Sequence, residues 1–197
     1  MEKSSVFLRT TMQLMRLMWF IVAGFSLLVA GGFASNDEPL RFNARGEMLF
    51  PEHYREWVWL SSGLGMSYFP STHENQNPNF DNVFVSPAAY RAFMSTGTWP
   101  NATVFMLEIR ASRNRGSINL AGHYQGDLQD VEAHVKKADG HWAFYPFGNG
   151  NKPAAAIPHG ADCYSCHEQH GAVDTTFVQF YPTLLNVARE KKTLTEK

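Results

Sequence analysis

The sequence predicts an α+β domain, an antiparallel β-sheet flanked by helices, with the motif Cys163-Tyr164-Ser165-Cys166-His167 near its C-terminus. Three observations lead there. The middle of the chain carries short β-branched and aromatic runs bounded by Gly, Pro, Asn and Asp, where a helical bundle would need long runs of 3.6-residue period. A Ser-Pro start and a Gly stop frame one short helix ahead of the best strand. Helical patterning returns only at and after the cysteines.

Taken in order, residues 56–60 (Glu56-Trp57-Val58-Trp59-Leu60) read as a strand ended by Ser61-Ser62-Gly63. Residues 68–81, with Pro70, Pro78 and four Asn or Gln, read as a surface loop. A second strand, 82–85, stops at Ser86-Pro87. Helix 87–96 follows, with Ser86 as N-cap, Pro87 in the first turn and Gly97 as the stop. The strongest strand is 103–110. One face carries Thr103, Phe105, Leu107 and Ile109, the other Val104, Met106, Glu108 and Arg110, so the first should look into the core or onto a cofactor. Residues 118–125, 131–137 and 142–147 are three further strand candidates. Asp139-Gly140 reads as a hairpin turn before the last, and Gly148-Asn149-Gly150 closes it. Helix is expected again over 174–180 and 182–192.

The 197 residues are 44% hydrophobic, 14% aromatic and 18% charged, with formal net charge −1. That apolar content excludes a disordered chain, and no basic excess exists to neutralise nucleic-acid phosphates. Residues 1–34 read as a signal peptide. Lys3, Arg9 and Arg16 precede an uncharged run that closes with Ala30-Gly31-Gly32-Phe33-Ala34, a cleavage site after Ala34. The alternative is an uncleaved N-terminal anchor, because the uncharged run reaches the lower limit of a membrane span. Either way, residues 35–197 form one domain outside the cytoplasm.

Only two cysteines are present, Cys163 and Cys166. An exported disulfide scaffold would carry several widely spaced pairs, and a paired zinc site would need a second Cys-x-x-Cys. A thioredoxin-type pair would open a helix early in a βαβ unit, not some thirty residues from the end. The remaining reading is covalent haem attachment, with a plain Cys163–Cys166 disulfide or another metal as alternatives. Two thiols three apart on one helical turn reach the two vinyl groups on one porphyrin edge. His167 is then carried beneath the iron, where Nε2 can bind it. After His167 the sequence has no Met, and Met48, Met66, Met94 and Met106 all precede the motif. Core packing is their expected role, so a pentacoordinate or weakly hexacoordinate iron open to small molecules is expected.

These residues resemble the cytochrome P460 family. The likeness rests on Arg41-Phe42-Asn43 with Gly46-Glu47-Met48-Leu49 and Pro51, and on Tyr54-Arg55-Glu56-Trp57-Val58. It continues through Tyr90 to Gly97 with the following Trp-Pro turn and strand, and through Trp142-Ala143-Phe144-Tyr145. The most specific part is the Cys163 to His167 motif followed by Asp174, Phe177, Phe180-Tyr181-Pro182 and Leu184. The resemblance implies a periplasmic, homodimeric, sheet-rich c-type cytochrome with one haem c, Cys163 and Cys166 as thioether anchors and His167 as proximal ligand. Hydroxylamine-oxidising members carry a strand lysine cross-linked to the porphyrin. Here the matching stretch is Ala102-Thr103-Val104-Phe105-Met106-Leu107-Glu108, and Leu107 stands at the lysine position. The chain therefore resembles the uncross-linked relatives called beta-type cytochromes c-prime, which bind nitric oxide or carbon monoxide in a hydrophobic distal pocket. Phe105 and Leu107 are the candidate pocket wall.

Three functions follow as expectations: a haem protein that binds a small diatomic or nitrogenous ligand or passes electrons to a periplasmic redox partner; a redox enzyme oxidising hydroxylamine or nitric oxide; and a haem-free protein with a structural cysteine pair. The enzyme would need a base over the iron. Glu108, Asp139, His73, His123, His134 and His141 are candidates, each with a satisfied structural role as the plainer reading. Arg110, Arg113 and Arg115 could pair with haem propionates or stay solvated. His170, three after His167, reads as exposed or supporting.

Overall fold

Five antiparallel strands, β1 (Val58–Leu64), β2 (Phe80–Val85), β3 (Val104–Arg113), β4 (Tyr124–Lys136) and β5 (Trp142–Gly148), form a meander in which chain order is also spatial order. Three helices accompany them: α1 (Pro87–Thr96), α2 (Asp162–His170) and α3 (Pro182–Glu190). The computed structural model describes residues 39–67 and 78–195, so the expected leader and His73 lie outside the described residues. The architecture is the α+β arrangement that the sequence predicts. Among the described residues no helix is long and apolar enough to cross a membrane.

Local chemistry explains the boundaries. Pro87 opens α1, and Gly97 ends it in the left-handed region at φ 74, donating its N–H to the Phe93 carbonyl. The Ser86 side chain makes no cap bond; its backbone N–H joins the Val104 carbonyl instead. Asp139-Gly140 does turn the chain between β4 and β5, with Gly140 at φ 85 and Lys137 N–H on the His141 carbonyl.

Four expectations need correction. β1 starts two residues later than predicted and runs through Ser61-Ser62-Gly63, because Tyr54–Glu56 is a 3-10 turn and the polar residues pair with β2. Ser62 Oγ bonds Asn82 Oδ1, so this edge strand is held by side chains as well as backbone. β2 begins at Phe80, within the expected 68–81 loop. No strand covers 118–123. Gly116 and Ser117 have positive φ, and Ile118 and Leu120 are 93% and 98% exposed at the tip between β3 and β4. β4 then runs unbroken from Tyr124 to Lys136, joining what the patterning splits, and a Cβ at Gly126 within it would meet Arg113 Nε at 2.9 Å. Finally, 174–180 is not helical. Asp174 and Thr175 sit at φ 48 and 61, and only Val178–Phe180 makes a 3-10 turn.

Both sheet faces are covered, each by a different part of the chain. Met48, Tyr54 and Trp57 pack on Val104, Met106, Val131, Ala133 and Val135. On the opposite face, Val85, Phe105 and Trp142 lie under Phe93 and Ala89 of α1, Val178 and Tyr181, and Leu184 and Ala188 of α3. Each large apolar side chain buried this way contributes about 1.5–3 kcal/mol. The second cover is incomplete. Strand alternation and pairing put Asp81, Val83, Leu107, Ile109 and Glu132 on that face, and all five remain half-buried.

Candidate haem site

α2 carries the motif beside this half-covered patch. Its first turn is framed by the Tyr164 N–H on the Ala161 carbonyl and by Ser165 Oγ on the Asp162 carbonyl. The Tyr164 hydroxyl donates to the Ile157 carbonyl, tying the turn to the preceding segment. Cys163 and Cys166 are not bridged; Cys163 is exposed and Cys166 half-buried. Burial, then the negative charge of Glu132, pushes the Cys163 thiol above its ordinary value. A redox-active Cys-x-x-Cys needs the reverse, a thiolate stabilised at neutral pH.

His167 leans back onto the sheet. Its ring meets Phe177 at 4.4 Å, Phe144 at 4.7 Å and His134 at 4.7 Å between centroids. Nδ1 lies 2.9 Å from the Thr175 carbonyl oxygen. A carbonyl only accepts, so Nδ1 carries the proton and Nε2 keeps its lone pair for a metal. Burial holds the imidazole below its ordinary pKa, with the Thr175 bond opposing. It is therefore neutral at pH 7, the form that ligates.

The turn that supplies Thr175 is tightly constrained. A Cβ on Gly171 would come within 2.4 Å of the Thr175 carbonyl carbon. Trp99 Nε1 donates to Thr176 Oγ1, which donates to the Val173 carbonyl. Lys136 Nζ donates to Asp174 Oδ2 at 2.5 Å and to the Trp99 carbonyl at 2.9 Å.

Sequence reading placed Phe105 and Leu107 on one face, and β3 does so. Phe105 is buried against Trp99, Trp142, Tyr181 and His134, whereas Leu107 lies on the half-covered patch, paired with Glu132 and Val83. Within 131–137 the apolar Val131, Ala133 and Val135 carry the strand signal, and no motif marks Glu132. Alternation from His134 puts Glu132 on the same face. Burial raises its pKa, and the charges of Asp130 and Asp81 raise it further; Asp81 is itself raised by burial. No sequence signal marked the Thr175 carbonyl, which depends on a tertiary contact.

The other candidates lie elsewhere. Glu108 is on the opposite face, bound by Tyr54, Arg55, Arg110 and Asn82. Arg110 is taken by Glu108 and the Gly126 carbonyl, and Arg113 by Asp127. Arg115 and His123 sit in the exposed tip between β3 and β4. Asp139 and His141 belong to the hairpin turn, where Asp139 accepts the His141 N–H. His170 is exposed on α2. Met48 and Met106 are buried on the far face, and Met66 and Met94 are surface residues. His134 is different: it is buried, stacked on Phe144 at 4.1 Å, edge-on to His167, and its Nε2 finds no hydrogen-bond partner.

The donor set fits a haem. Two unbridged thiols lie three apart on a helix, a neutral imidazole has its Nδ1 proton occupied and Nε2 free, and an apolar patch of Val83, Leu107 and Ile109 is left half-covered on the same sheet face. The comparisons agree with that fit. A family model described as cytochrome P460 matches residues 51–178, more than half of the chain and the whole of the sheet and motif. No curated protein matches the chain.

Proposed function

The chain belongs to the cytochrome P460 family, whose members hold haem, and from that premise we propose an exported c-type cytochrome with one covalently bound haem. Cys163 and Cys166 form the thioethers and His167 is the proximal ligand. The bound haem supplies a redox-active iron with a site for a small ligand. The observation that carries this reading is the Nδ1 bond of His167 to Thr175, on the helix that also offers both thiols. It fixes the tautomer and leaves Nε2 unprotonated, as a metal-ligating histidine requires.

The principal activity is binding of a neutral small ligand such as nitric oxide, with electron transfer to a periplasmic partner, in a homodimer. Leu107, Val83 and Ile109 give an apolar wall without a nucleophilic nitrogen, which favours uncharged ligands. A second reading, oxidation of hydroxylamine or nitric oxide, gains support from one contact the sequence did not reveal. Glu132 sits across from Leu107 with its carboxyl raised by burial, where it could take a proton from a bound substrate.

Mass spectrometry of denatured protein, made in a host with c-type maturation, tests the attachment. The expected result is a mass gain of one haem that Cys166→Ala weakens and the Cys163→Ala, Cys166→Ala pair abolishes. His167→Ala should leave the haem attached through sulfur. An unmodified wild-type mass would overturn covalent attachment through Cys163 and Cys166.

A further inference from the structure

Two consecutive non-glycine residues in the left-handed region, Asp174 and Thr175 at φ 48 and 61, form the turn that faces His167. Such residues persist only where the surroundings hold them. Here the hold comes from Lys136, the last residue of β4, which is largely buried at 15% side-chain exposure. Its ammonium bridges Asp174 Oδ2 and the Trp99 carbonyl, while the Trp99 indole reaches Thr176 on the far side of the same turn. The sheet end, the loop after α1 and the turn are thus joined at one cation. The product of that joint is the position of a single carbonyl, that of Thr175, 2.9 Å from His167 Nδ1.

We propose that Lys136 and Asp174 are positioning residues for His167: their ion pair holds the left-handed turn so that the Thr175 carbonyl accepts the Nδ1 proton and strengthens Nε2 as a donor to the haem iron. This rests on the reading of His167 as the proximal ligand. An imidazole whose Nδ1–H is given to an acceptor is the more basic ligand, and it favours the ferric over the ferrous state. Loosening the turn therefore weakens the iron–histidine bond and raises the midpoint potential.

The sign separates this role from a plain charge effect. Through space, removing the Asp174 carboxylate raises the potential and removing the Lys136 ammonium lowers it. Through the turn, both changes raise it. The experiment uses haem-loaded Asp174→Asn and Lys136→Met, with Lys136→Arg as the conservative variant. Resonance Raman of the ferrous proteins reads the iron–histidine stretch, and redox titration reads the potential. The expected result is a lower stretching frequency and a higher potential in both neutral variants, with a smaller lowering of the stretch in Lys136→Arg. Shifts of opposite sign, or an unchanged stretch in both, would overturn the proposal. If the neutral variants fail to load haem, the same assignment is read on wild type and Lys136→Arg alone. Arg keeps the charge but not the two-way bridge, so a lowered stretch there supports the role and an unchanged one overturns it. Failure of the underlying reading looks different: the wild type itself would then show no iron–histidine stretch.

Discussion

Leu107 and Glu132 are directly paired across the ladder between β3 and β4, so an aliphatic side chain and a carboxyl with a raised pKa share one half-covered patch of the sheet. The pairing makes the patch chemically two-sided. Leu107 offers nothing to bond, while Glu132 offers a proton site a short step away.

A pH-dependent potential follows. Burial first, then Asp130 and Asp81, favour the protonated form of Glu132. As pH rises through its folded pKa, above the usual carboxyl value, a negative charge appears on the half-covered patch, and a haem bound there would have its ferric state stabilised. The midpoint potential should fall across that step. The charged and titratable groups facing Glu132 are Asp81 on β2, Asp130 on β4 and Cys163 on α2, the last consumed when a thioether forms. Redox titration from pH 4 to 8 should show the step in wild type and lose most of it in Glu132→Gln. An identical profile in both would remove Glu132 from the site.

The Glu108 network should dominate acid stability. Burial alone would raise this carboxyl, but hydrogen bonds from Arg110, Tyr54 and Arg55 outweigh it and hold the pKa below its ordinary value of 4.5. A depressed folded pKa contributes stability that is present above the unfolded value and lost as pH falls through the folded one. Thermal unfolding of wild type should therefore weaken below about pH 4.5. Glu108→Ala, which leaves Arg110 and Tyr54 without their partner, should cost about 3–5 kcal/mol and flatten that acid limb. A cost below about 1 kcal/mol, the range of exposed pairs, would contradict the account.

How far the sequence speaks depends on whether a feature is local. The ends of α1 were readable because Pro87 and Gly97 act on their own backbone, and the motif on α2 was readable because its chemistry is complete within five residues. Features set by tertiary contact were not. The patterning offers two short strands, 118–125 and 131–137, where the fold runs one long strand in which Gly126 makes room for Arg113. Ile118 and Leu120 look like strand residues, yet neither finds a surface to pack on. The turn at Asp174 and Thr175 adopts its left-handed form because Lys136 and Trp99 hold it there, and neither is near in sequence. At the proposed site, Cys163, Cys166 and His167 can be named from the motif alone. The groups around them, Thr175, Glu132 and Lys136, required the fold.

Gly97 offers a test of the packing that holds the C-terminal segment against α1. At φ 74 any side chain is strained, and a Cβ would stand 2.6 Å from Lys191 Cβ, which cannot swing away as a side-chain tip could. Thr193 Oγ1 also donates to the Gly97 carbonyl. Gly97→Ala should lose at least about 1–2 kcal/mol from the left-handed strain alone, measured by denaturant unfolding. An unchanged midpoint would show that the segment after α3 is not held as described.

The central claim is an uncross-linked haem held by Cys163, Cys166 and His167 over a wall that includes Leu107. The most direct measurement is the optical spectrum of the purified ferrous protein before and after adding nitric oxide. The account predicts an ordinary c-type Soret band that shifts when nitric oxide binds. A red-shifted ferrous band would contradict it by requiring a cross-link from a residue other than Leu107. A sharp low-spin spectrum indifferent to nitric oxide would contradict the open iron, placing a sixth protein ligand where the small molecule should sit.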